Sequence, residues 1–376
     1  MLNALHYTQK MVEFPSVSNV SNVAVSNYLE DVLKTLGFAT ERIEYTDPAG
    51  VDKANIIGKK GSGQGGMAYF AHTDVVPADP WFSAEHGPFE PTVKGDKLYG
   101  RGSCDMKGSI GSMLAAAEEV GGTDLKEPLY IVLTADEEVG YGGAKQVARR
   151  SKYFREMVEG ESNGIVGEPT MLDVVHAHKG SYGFKAISHG RAAHSSTNKG
   201  LNANLAMIPF LSEMKKIHDE TLDDPAWQHA EFDPPGISWN IGINDHTPVL
   251  NMTAAESVCT VYFRPAPGHD AEALVERAGK AAEQCGIEFV RLWTGQPLYT
   301  DPKSDFVGEV LALSGTEKAQ TVPYGTDGAA LTEMKNLVVI GPGDIAQAHT
   351  YDEWVLLDQL QKGTQFFAKL IRQWCM

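Results

Sequence analysis

The sequence predicts an α/β protein with a mixed sheet and flanking helices, interrupted by an inserted α+β ferredoxin-like domain. Three apolar stretches of strand length each end in carboxylate or imidazole side chains, as is typical of the ligand-binding edge of open α/β sheets. The middle of the chain has the order strand-helix-strand-strand-helix-strand, which indicates one antiparallel sheet with two helices on one face. Alternating helices and strands then return.

The composition indicates an acidic, globular protein of two domains. Its 376 residues exceed what one core usually covers, and 42% hydrophobic and 22% charged residues are ordinary values for a globular chain. The net charge of −17 argues against nucleic-acid and membrane-surface roles, because nucleic acids and anionic lipids are themselves negative. Such a chain is compatible with divalent cations or a cationic substrate, although most of this charge serves solubility.

The cysteines and the apolar runs narrow the class of protein further. The four cysteines are scattered and form no Cys-x-x-Cys pair, which argues against a disulfide framework and against a thiolate zinc site. Residues 1–18 lack the apolar segment of a signal peptide, and no apolar run approaches the ~18 residues of a membrane helix. We therefore expect a cytoplasmic protein.

The first candidate site residue lies at the end of a short apolar strand. Helices are predicted over 5–14 and 22–36 and strands over 38–45 and 54–58, ahead of the run Met67-Ala68-Tyr69-Phe70-Ala71-His72-Thr73-Asp74. In an extended chain, residues two apart share a face ~6–7 Å from each other, so Asp74 can orient His72 as a metal-binding imidazole. The alternative is a capped strand end with a solvated His72 and Asp74.

A long irregular segment leads to the second candidate. Residues 75–98 contain four prolines, and loops of that length inside a compact domain tend to be functional. The segment ends in Gly100-Arg101-Gly102, and Asp105 follows just before a helix predicted over 109–120. The helix dipole favours a carboxylate at that place, which can then face a cation.

Two further strands also end in acidic residues. The clearest buried strand of the chain, predicted over 128–135, is followed directly by Asp136-Glu137-Glu138. Another, over 164–167, ends at Glu168. One such ending carries little information, but three of them indicate a common site outside the carboxyl ends of the strands.

The remaining elements define the domain division. In the middle of the chain, strands are predicted over 182–188, 237–243, 257–264 and 286–293, and helices over 204–217 and 271–285. We therefore assign residues 180–296 to an inserted domain, and residues 1–179 and 297–376 to the domain that it interrupts. The last part of the second segment contains a helix over 305–313, a buried strand over 337–340, His349 in a loop, and a helix over 354–374.

The side chains at the strand ends, together with the loop histidine, form a set that suits two metal ions. The set is His72, Asp105, Glu138, Glu168 and His349. It contains nitrogen and oxygen ligands without thiolate, too many for one four-coordinate ion but right for two ions that share a bridging carboxylate. Two ions ~3.5–4 Å apart can share a water and lower its pKa towards ~7. Zinc suits these ligands, and cobalt or manganese can take its place.

Five motifs in this order make the chain resemble a known family over essentially its whole length. They are His72-Thr73-Asp74, Gly100-Arg101-Gly102 with Asp105-Met106-Lys107-Gly108, Asp136-Glu137-Glu138, Gly167-Glu168-Pro169-Thr170 and Ala348-His349. The family is that of the two-metal aminoacylases and peptidases, which includes acetylornithine deacetylases, succinyl-diaminopimelate desuccinylases and glutamate carboxypeptidases. The resemblance implies a dizinc-peptidase-like catalytic domain and an inserted domain for dimerisation and as a lid.

The resemblance also implies a role for each residue of the metal set. Asp105 bridges the two ions; His72 and Glu168 complete one site, and Glu138 and His349 the other. Asp74 orients His72, and Glu137 is the general base. The residues support this division, because adjacent glutamates point in different directions and one can bind metal while the other faces the water. The alternative for Asp136-Glu137-Glu138 is a solvated acidic turn.

Five further residues resemble family positions around the substrate. His194, in Gly190-Arg191-Ala192-Ala193-His194-Ser195-Ser196, matches a histidine that reaches across a dimer interface to steady the oxyanion, where a donor counts directly towards rate. Arg264 matches an arginine that binds the substrate α-carboxylate. Asn251, Thr326 and Asp327 match substrate-side positions. The sequence departs from the family pattern at Thr197 and Thr253, where proline is usual. The alternatives are an exposed lid histidine, a solvated arginine and a helix cap.

The resemblance is strongest to the acetylornithine deacetylase branch, through Tyr324-Gly325-Thr326-Asp327, Gly341-Pro342-Gly343 and Arg264-Pro265. It implies a homodimer that removes the acetyl group from N-acetylornithine, a small-molecule substrate of arginine biosynthesis. Alternative substrates are N-succinyl-diaminopimelate, N-acetylcitrulline and C-terminal glutamate or dipeptides. Alternatives from other classes are a non-catalytic binding protein, which would lack Glu137 or a ligand, and a hydrolase with a single metal ion.

Overall fold

The computed structural model describes residues 2–121 and 124–376, which form two compact units. The first unit contains the chain up to Ala177 together with Leu298–Gln320 and Thr326–Met376. The second contains His178–Pro297 and Thr321–Gly325. Among the described helices, none combines the length and the apolar character that a membrane span requires.

Helices and strands alternate through most of the described chain. The helices are α1 (Leu2–Val12), α2 (Val23–Thr35), α3 (Lys107–Glu119), α4 (Gly142–Arg150), α5 (Lys152–Glu159), α6 (Ala203–Asp223), α7 (Ala271–Gln284), α8 (Asp305–Ser314) and α9 (Leu357–Cys375). The strands are β1 (Ala39–Thr46), β2 (Asp52–Lys60), β3 (Met67–His72), β4 (Thr92–Lys94), β5 (Lys97–Tyr99), β6 (Leu129–Thr134), β7 (Asn163–Val166), β8 (Val175–His178), β9 (Ser181–His189), β10 (Ser238–Asn244), β11 (Glu256–Arg264), β12 (Glu288–Gly295), β13 (Leu298–Tyr299), β14 (Gln320–Val322), β15 (Asn336–Val339) and β16 (Trp354–Leu356).

The first unit is built on a mixed sheet whose middle strands are parallel. The strand order is β1-β2-β6-β3-β7-β15-β8-β13, with β14 beside β8. Strands β6, β3, β7 and β15 run parallel to their neighbours within this group, so that His72 lies opposite Thr134, and Phe70 opposite Val166. The carboxyl ends of these four strands therefore meet at one edge of the sheet, which is the arrangement that the strand endings predict.

The apolar runs of the central strands are explained by burial on both faces. Every residue of β3 and of β6 is buried, as is usual for parallel strands that helices cover on either side. Tyr69 packs against Phe367 of α9 with ring centroids 5.2 Å apart, and its hydroxyl group lies 2.7 Å from Ser109 Oγ of α3. Burial of one such large side chain contributes roughly 1.5–3 kcal/mol, so this core fixes the sheet edge firmly.

One prediction about the end of the chain is wrong. The final helix does not begin at Trp354 but at Leu357, because residues Trp354–Leu356 form β16, which pairs antiparallel with β5. Together with β4 these strands form a small three-stranded sheet, and Trp354 lies opposite Tyr99. The segment predicted to be irregular over 75–98 thus contains β4 and most of β5. Hydrogen bonds to a strand some 250 residues away override the local helical pattern.

The second unit contains an antiparallel sheet with the strand order β10-β11-β9-β12 and two helices, α6 and α7, packed on it. In chain order its elements run β-α-β-β-α-β, which is the ferredoxin-like arrangement. Alternate residues of β9 and β11, such as Phe184 and Val261, join the core with helix residues such as Phe210 and Val275. The remaining residues of these strands point away from the helices, as the period of two requires.

We expect the second unit to lose stability in acid because of one buried histidine. Burial lowers the pKa of His178 from 6.5 to about 4, while its Nδ1 lies 2.9 Å from the carbonyl oxygen of Lys179. Between these pH values the unfolded chain binds a proton that the folded chain does not, so stability falls as the pH drops from about 6.5 to about 4. At pH 5 this loss is about 2 kcal/mol.

Urea denaturation of the wild type and of His178→Asn at pH 7.5 and pH 5 measures this loss. The asparagine amide can keep the hydrogen bond to Lys179 without binding a proton. The free energy of unfolding should therefore fall less on acidification in the variant than in the wild type. Equal losses in the two proteins would show that His178 does not carry the effect.

Candidate metal centre

Three buried side chains form the first group of candidate ligands. His72 is the last residue of β3, Glu168 follows β7 by two residues, and Asp105 stands two residues before α3. His72 Nε2 lies 3.1 Å from Asp105 Oδ1 and 3.7 Å from Glu168 Oε1. The three residues each offer one ligand atom, and these atoms all lie within 4.8 Å of one another.

The second group shares Asp105 with the first. His349 Nε2 lies 3.1 Å from Glu138 Oε1 and 3.4 Å from Asp105 Oδ2. Asp105 therefore turns one carboxylate oxygen to His72 and the other to His349. This is the arrangement that a carboxylate bridging two ions requires. The five side chains that the sequence indicates thus come together from segments almost 280 residues apart.

The donor chemistry and the electrostatics of these groups fit divalent cations. Two imidazoles and three carboxylates offer nitrogen and oxygen ligands, which suit zinc, cobalt or manganese. Burial raises the pKa of Glu168 well above its usual range and also raises that of Glu138, and in both cases the Asp105 carboxylate raises it further. Buried carboxylates that repel one another in this way are stabilised by a cation between them.

The two groups differ in how firmly the chain holds them. His72, Asp105 and Glu168 are all buried, and two of them stand at or beside the ends of central strands. In the second group, the side chain of His349 is 54% exposed, and the residue has a left-handed backbone with φ of +62°. A non-glycine residue in that region carries strain that the surrounding structure must balance. The second group therefore depends on what anchors the loop of His349.

Asp74 contacts His72 differently from the way the sequence indicates. The Asp74 main-chain carbonyl, rather than its carboxylate, lies within hydrogen-bond distance of His72 Nδ1, at 2.9 Å; the nearer carboxylate oxygen is 3.7 Å away. The carboxylate accepts hydrogen bonds from the backbone N–H groups of Glu137 and Glu138 at 3.1 and 3.3 Å, and from the Ser18 hydroxyl at 2.8 Å. Asp74 thus holds both the imidazole and the acidic turn.

The acidic turn is a buried structure and not a solvated one. Asp136 has a left-handed backbone with φ of +57°, accepts a hydrogen bond from the Tyr45 hydroxyl at 2.7 Å, and lies 2.7 Å from the ammonium group of Lys53. Glu137 is buried and is a member of neither ligand group. Burial raises the pKa of Glu137 well above its usual range, and the charge of Glu168 raises it further against the opposing effect of His72. Because Glu137 is outside both groups, its carboxylate is free to act in the chemistry rather than as a ligand.

Thr326 and Asp327 also lie in the first unit, at the start of a short 3-10 helix, Asp327–Ala330. Thr326 caps it by accepting a hydrogen bond from the backbone N–H of Gly328 at 3.1 Å, which is the structural role that the sequence leaves open. Asp327 is buried and accepts a hydrogen bond from the hydroxyl of Thr134, the last residue of β6, at 2.5 Å. Burial raises the pKa of Asp327 to about 6.

The other three predicted site residues belong to the second unit. His194 is exposed, and its Nδ1 lies 2.7 Å from the hydroxyl oxygen of Ser196. Asn251 is exposed in a neighbouring loop and accepts the backbone N–H of Ser195 through its carbonyl at 2.9 Å. Arg264 ends β11 with its guanidinium 5.1 Å from the Tyr262 ring, and its Nη1 is buried without a hydrogen-bond acceptor among the described residues.

Sequence reasoning missed the residues that hold these loops in place. Glu353 follows His349 by four residues and forms a buried ion pair with Arg101, at 2.7 Å. The sequence contains a weak signal for it, because Arg101 stands between two glycines just before Asp105, and Glu353 stands just before an apolar run. No local pattern, however, links two residues 252 positions apart.

Comparison with known proteins connects this geometry to a family. The profile of peptidase family M20/M25/M40 matches residues 68–373. The acetylornithine deacetylase of Myxococcus xanthus is 31% identical over 383 residues, which covers 97% of this chain and 96% of that protein. The fold matches that of the M20 family metallo-carboxypeptidase Sso-CP2 from Sulfolobus solfataricus, with a TM-score of 0.78 at 17% identity, covering 100% and 99% of the two chains. It also matches YXEP of Bacillus subtilis, described as a dinuclear metal binding peptidase, with a TM-score of 0.64 at 16% identity, covering 98% and 97%.

Proposed function

Because this chain belongs to peptidase family M20/M25/M40, we propose that it hydrolyses N-acetylornithine to acetate and ornithine. A metal-dependent amidohydrolase is what the family and the two ligand groups establish. The proposal rests on the position of Asp105, which belongs to both ligand groups and turns one oxygen to each. Glu137 lies buried outside both groups. The acetylornithine deacetylases at about 30% identity over nearly the whole chain support the choice of substrate.

His72 and Glu168 would hold one metal ion, Glu138 and His349 the other, with Asp105 between them. Zinc is the proposed metal, and cobalt or manganese would fit the same donors. When bound, such ions supply Lewis acidity, which acidifies a water molecule and polarises the amide carbonyl. In the metal-bound protein, a hydrogen bond from His72 Nδ1 to the Asp74 carbonyl would leave Nε2, which faces Asp105, free to bind the ion.

The remaining steps fall to side chains of this chain. Glu137 removes the proton of the attacking water and delivers it to the nitrogen of the leaving amine, since its carboxylate is buried outside both ligand groups and so stays free to carry the proton. His194 donates a hydrogen bond to the oxygen of the tetrahedral intermediate. Arg264 binds the α-carboxylate through its Nη1, for which the described part of the chain offers no acceptor, and Asn251, Thr326 and Asp327 complete the substrate contacts.

We further propose that the second unit is an inserted dimerisation and lid domain. Large apolar side chains are exposed on its α6 and β10, among them Leu205, Ile208 and Ile243, at 68%, 56% and 60%. Ile208 and Ile243 line one cavity of about 380 Å³ between these elements. Exposed apolar clusters of this kind mark association surfaces, and a homodimer would let His194 serve the site of the partner.

With this substrate, the enzyme would belong to arginine biosynthesis in the cytoplasm.

An amine-release assay on zinc-loaded and cobalt-loaded protein tests the substrate directly. It compares N-acetylornithine, N-acetylcitrulline, N-succinyl-diaminopimelate and a γ-linked glutamate, with a mock preparation from cells that do not express this protein purified in parallel to detect contaminating hydrolases. We expect the highest kcat/KM for N-acetylornithine. A higher kcat/KM for any of the other three compounds would reject the proposed substrate, and equal rates in the control preparation would reject the activity.

We expect His194→Ala to lower kcat by about 10²–10³-fold, the effect that loss of one oxyanion donor typically has. Metal content should stay unchanged, because His194 is in neither ligand group. Sedimentation velocity should give the mass of a dimer for both proteins, which also tests the homodimer. Ser196→Ala is the matched control, since it removes only the hydroxyl group at His194 Nδ1. An unchanged kcat in His194→Ala would remove its proposed role.

A further inference from the structure

A buried ion pair joins the two segments that carry Asp105 and His349. Arg101 Nη1 lies 2.7 Å from Glu353 Oε2, and the two side chains are 2% and 1% exposed. Removing two charges from water is costly, so a buried pair adds stability only when its geometry is good and its other hydrogen bonds are made. The role of this pair therefore lies in what else it contacts.

The carboxylate of Glu353 holds the turn that presents Asp105. Its Oε1 accepts the backbone N–H groups of Cys104 and Asp105 at 2.9 and 3.0 Å, and its Oε2 accepts that of Gly102 at 2.9 Å. Three backbone amides from one four-residue stretch of the loop thus converge on one carboxylate. One of these amides is that of Asp105 itself. Glu353 therefore fixes the backbone position from which the Asp105 side chain extends.

The guanidinium of Arg101 holds the loop that presents His349. Besides the bond to Glu353, its Nη2 donates to the main-chain carbonyls of Thr350 at 2.8 Å and Pro77 at 3.3 Å. Thr350 is the neighbour of His349, whose side chain is exposed and whose backbone is strained. A planar guanidinium can serve both partners at once, which a lysine ammonium on a flexible stem cannot do in the same geometry.

We propose that Arg101 and Glu353 are positioning residues that set the distance between Asp105 and His349 and thereby the affinity of the second metal position. This inference rests on the proposed two-metal function. The first position depends on the pair less, because His72 and Glu168 stand at or beside the ends of β3 and β7. In the second position, His349 lies on a loop and has no strand of its own, so its place relative to Asp105 follows from the Arg101–Glu353 pair.

Calorimetric titration of metal-free protein with zinc, without substrate, tests the inference. Glu353→Gln exchanges one carboxylate oxygen for an NH₂ group, which cannot accept hydrogen bonds, and Arg101→Lys removes the planar guanidinium fork. In both variants we expect the second zinc ion to bind 10–100-fold more weakly, the typical effect of losing a partner that orients a ligand. The first should bind within about threefold of the wild type, and excess zinc should restore kcat, which a merely structural defect would not allow.

Glu41→Gln is the matched control. The Glu41 carboxylate on β1 likewise accepts backbone N–H groups, those of Lys152 and Tyr153 at the start of α5, together with the Ser151 hydroxyl. Its loss should lower thermal stability and leave both zinc affinities unchanged. If Glu353→Gln does not fold, Arg101→Lys decides alone.

Two results would overturn the inference: wild-type affinity for the second ion in the folded variants, or equal weakening of both ions. Since the titration contains no substrate, a wild-type protein that binds two ions and does not hydrolyse N-acetylornithine rejects the proposed substrate and not the role of the pair.

Discussion

Glu137→Gln is expected to bind both metal ions and to lose about 10³-fold in kcat, within the 10²–10⁴-fold range of general acid–base catalysis. The amide keeps the size of the side chain but cannot take a proton from water or carry it to the leaving amine. Glu137 belongs to neither ligand group. Its backbone N–H donates a hydrogen bond to the Asp74 carboxylate, and the substitution leaves this contact in place. Steady-state kinetics together with metal analysis of the same sample measure both quantities.

The neighbouring glutamate provides the matched control for this experiment. Glu138 is a ligand candidate in the second group, 3.1 Å from His349, so Glu138→Gln should lower the zinc content as well as the rate. Both variants replace a glutamate by glutamine, at neighbouring positions. Only Glu137→Gln should lower kcat while leaving the zinc content unchanged. Retained turnover in Glu137→Gln would exclude Glu137 as the base.

Asp105→Asn should have the largest effect on metal binding, because its two oxygens face both groups. An asparagine offers one oxygen and a donor N–H₂ group, so one ion loses a ligand and both lose negative charge. We expect at least 100-fold weaker binding at both positions, above the 10–100-fold cost of losing an orienting partner, and no detectable hydrolysis. Zinc at 100 times its Kd stabilises a protein by about 2.7 kcal/mol, and the variant should lose this stabilisation.

Thermal unfolding with and without zinc, alongside calorimetry, measures this loss. Asp358→Asn is the matched control, because Asp358 is an exposed residue of α9 that forms an ion pair with Lys362 along the helix. It should show the full shift in Tm on addition of zinc. A zinc shift of wild-type size in Asp105→Asn would show that the bridge is not needed.

The sequence predicts the sheet edge well because the information is local. β3 and β6 are apolar at every position and each leads directly into its polar residues, so strand, burial and site can be predicted together. The parallel neighbours of these strands then bring His72, the acidic turn and Glu168 to the same edge. The ferredoxin-like order of the second unit follows in the same way from alternating strands and helical spacing.

What the sequence does not predict depends on contacts between distant segments. Residues Trp354–Leu356 have an apolar pattern that suits a helix, and only pairing with β5 makes them a strand. The Arg101–Glu353 pair joins positions 252 residues apart. The carboxylate of Asp74 holds Glu137 and Glu138 rather than the imidazole of His72, because the turn after β6 approaches it in space.

We propose that five side chains hold two cations, with Asp105 between them. Diffraction data from zinc-soaked crystals, collected on both sides of the zinc absorption edge, test it most directly. We expect two anomalous peaks, one beside His72 and Glu168 and the other beside Glu138 and His349, each in contact with one oxygen of Asp105. A single peak, or zinc bound elsewhere while these side chains stay apart, would contradict it.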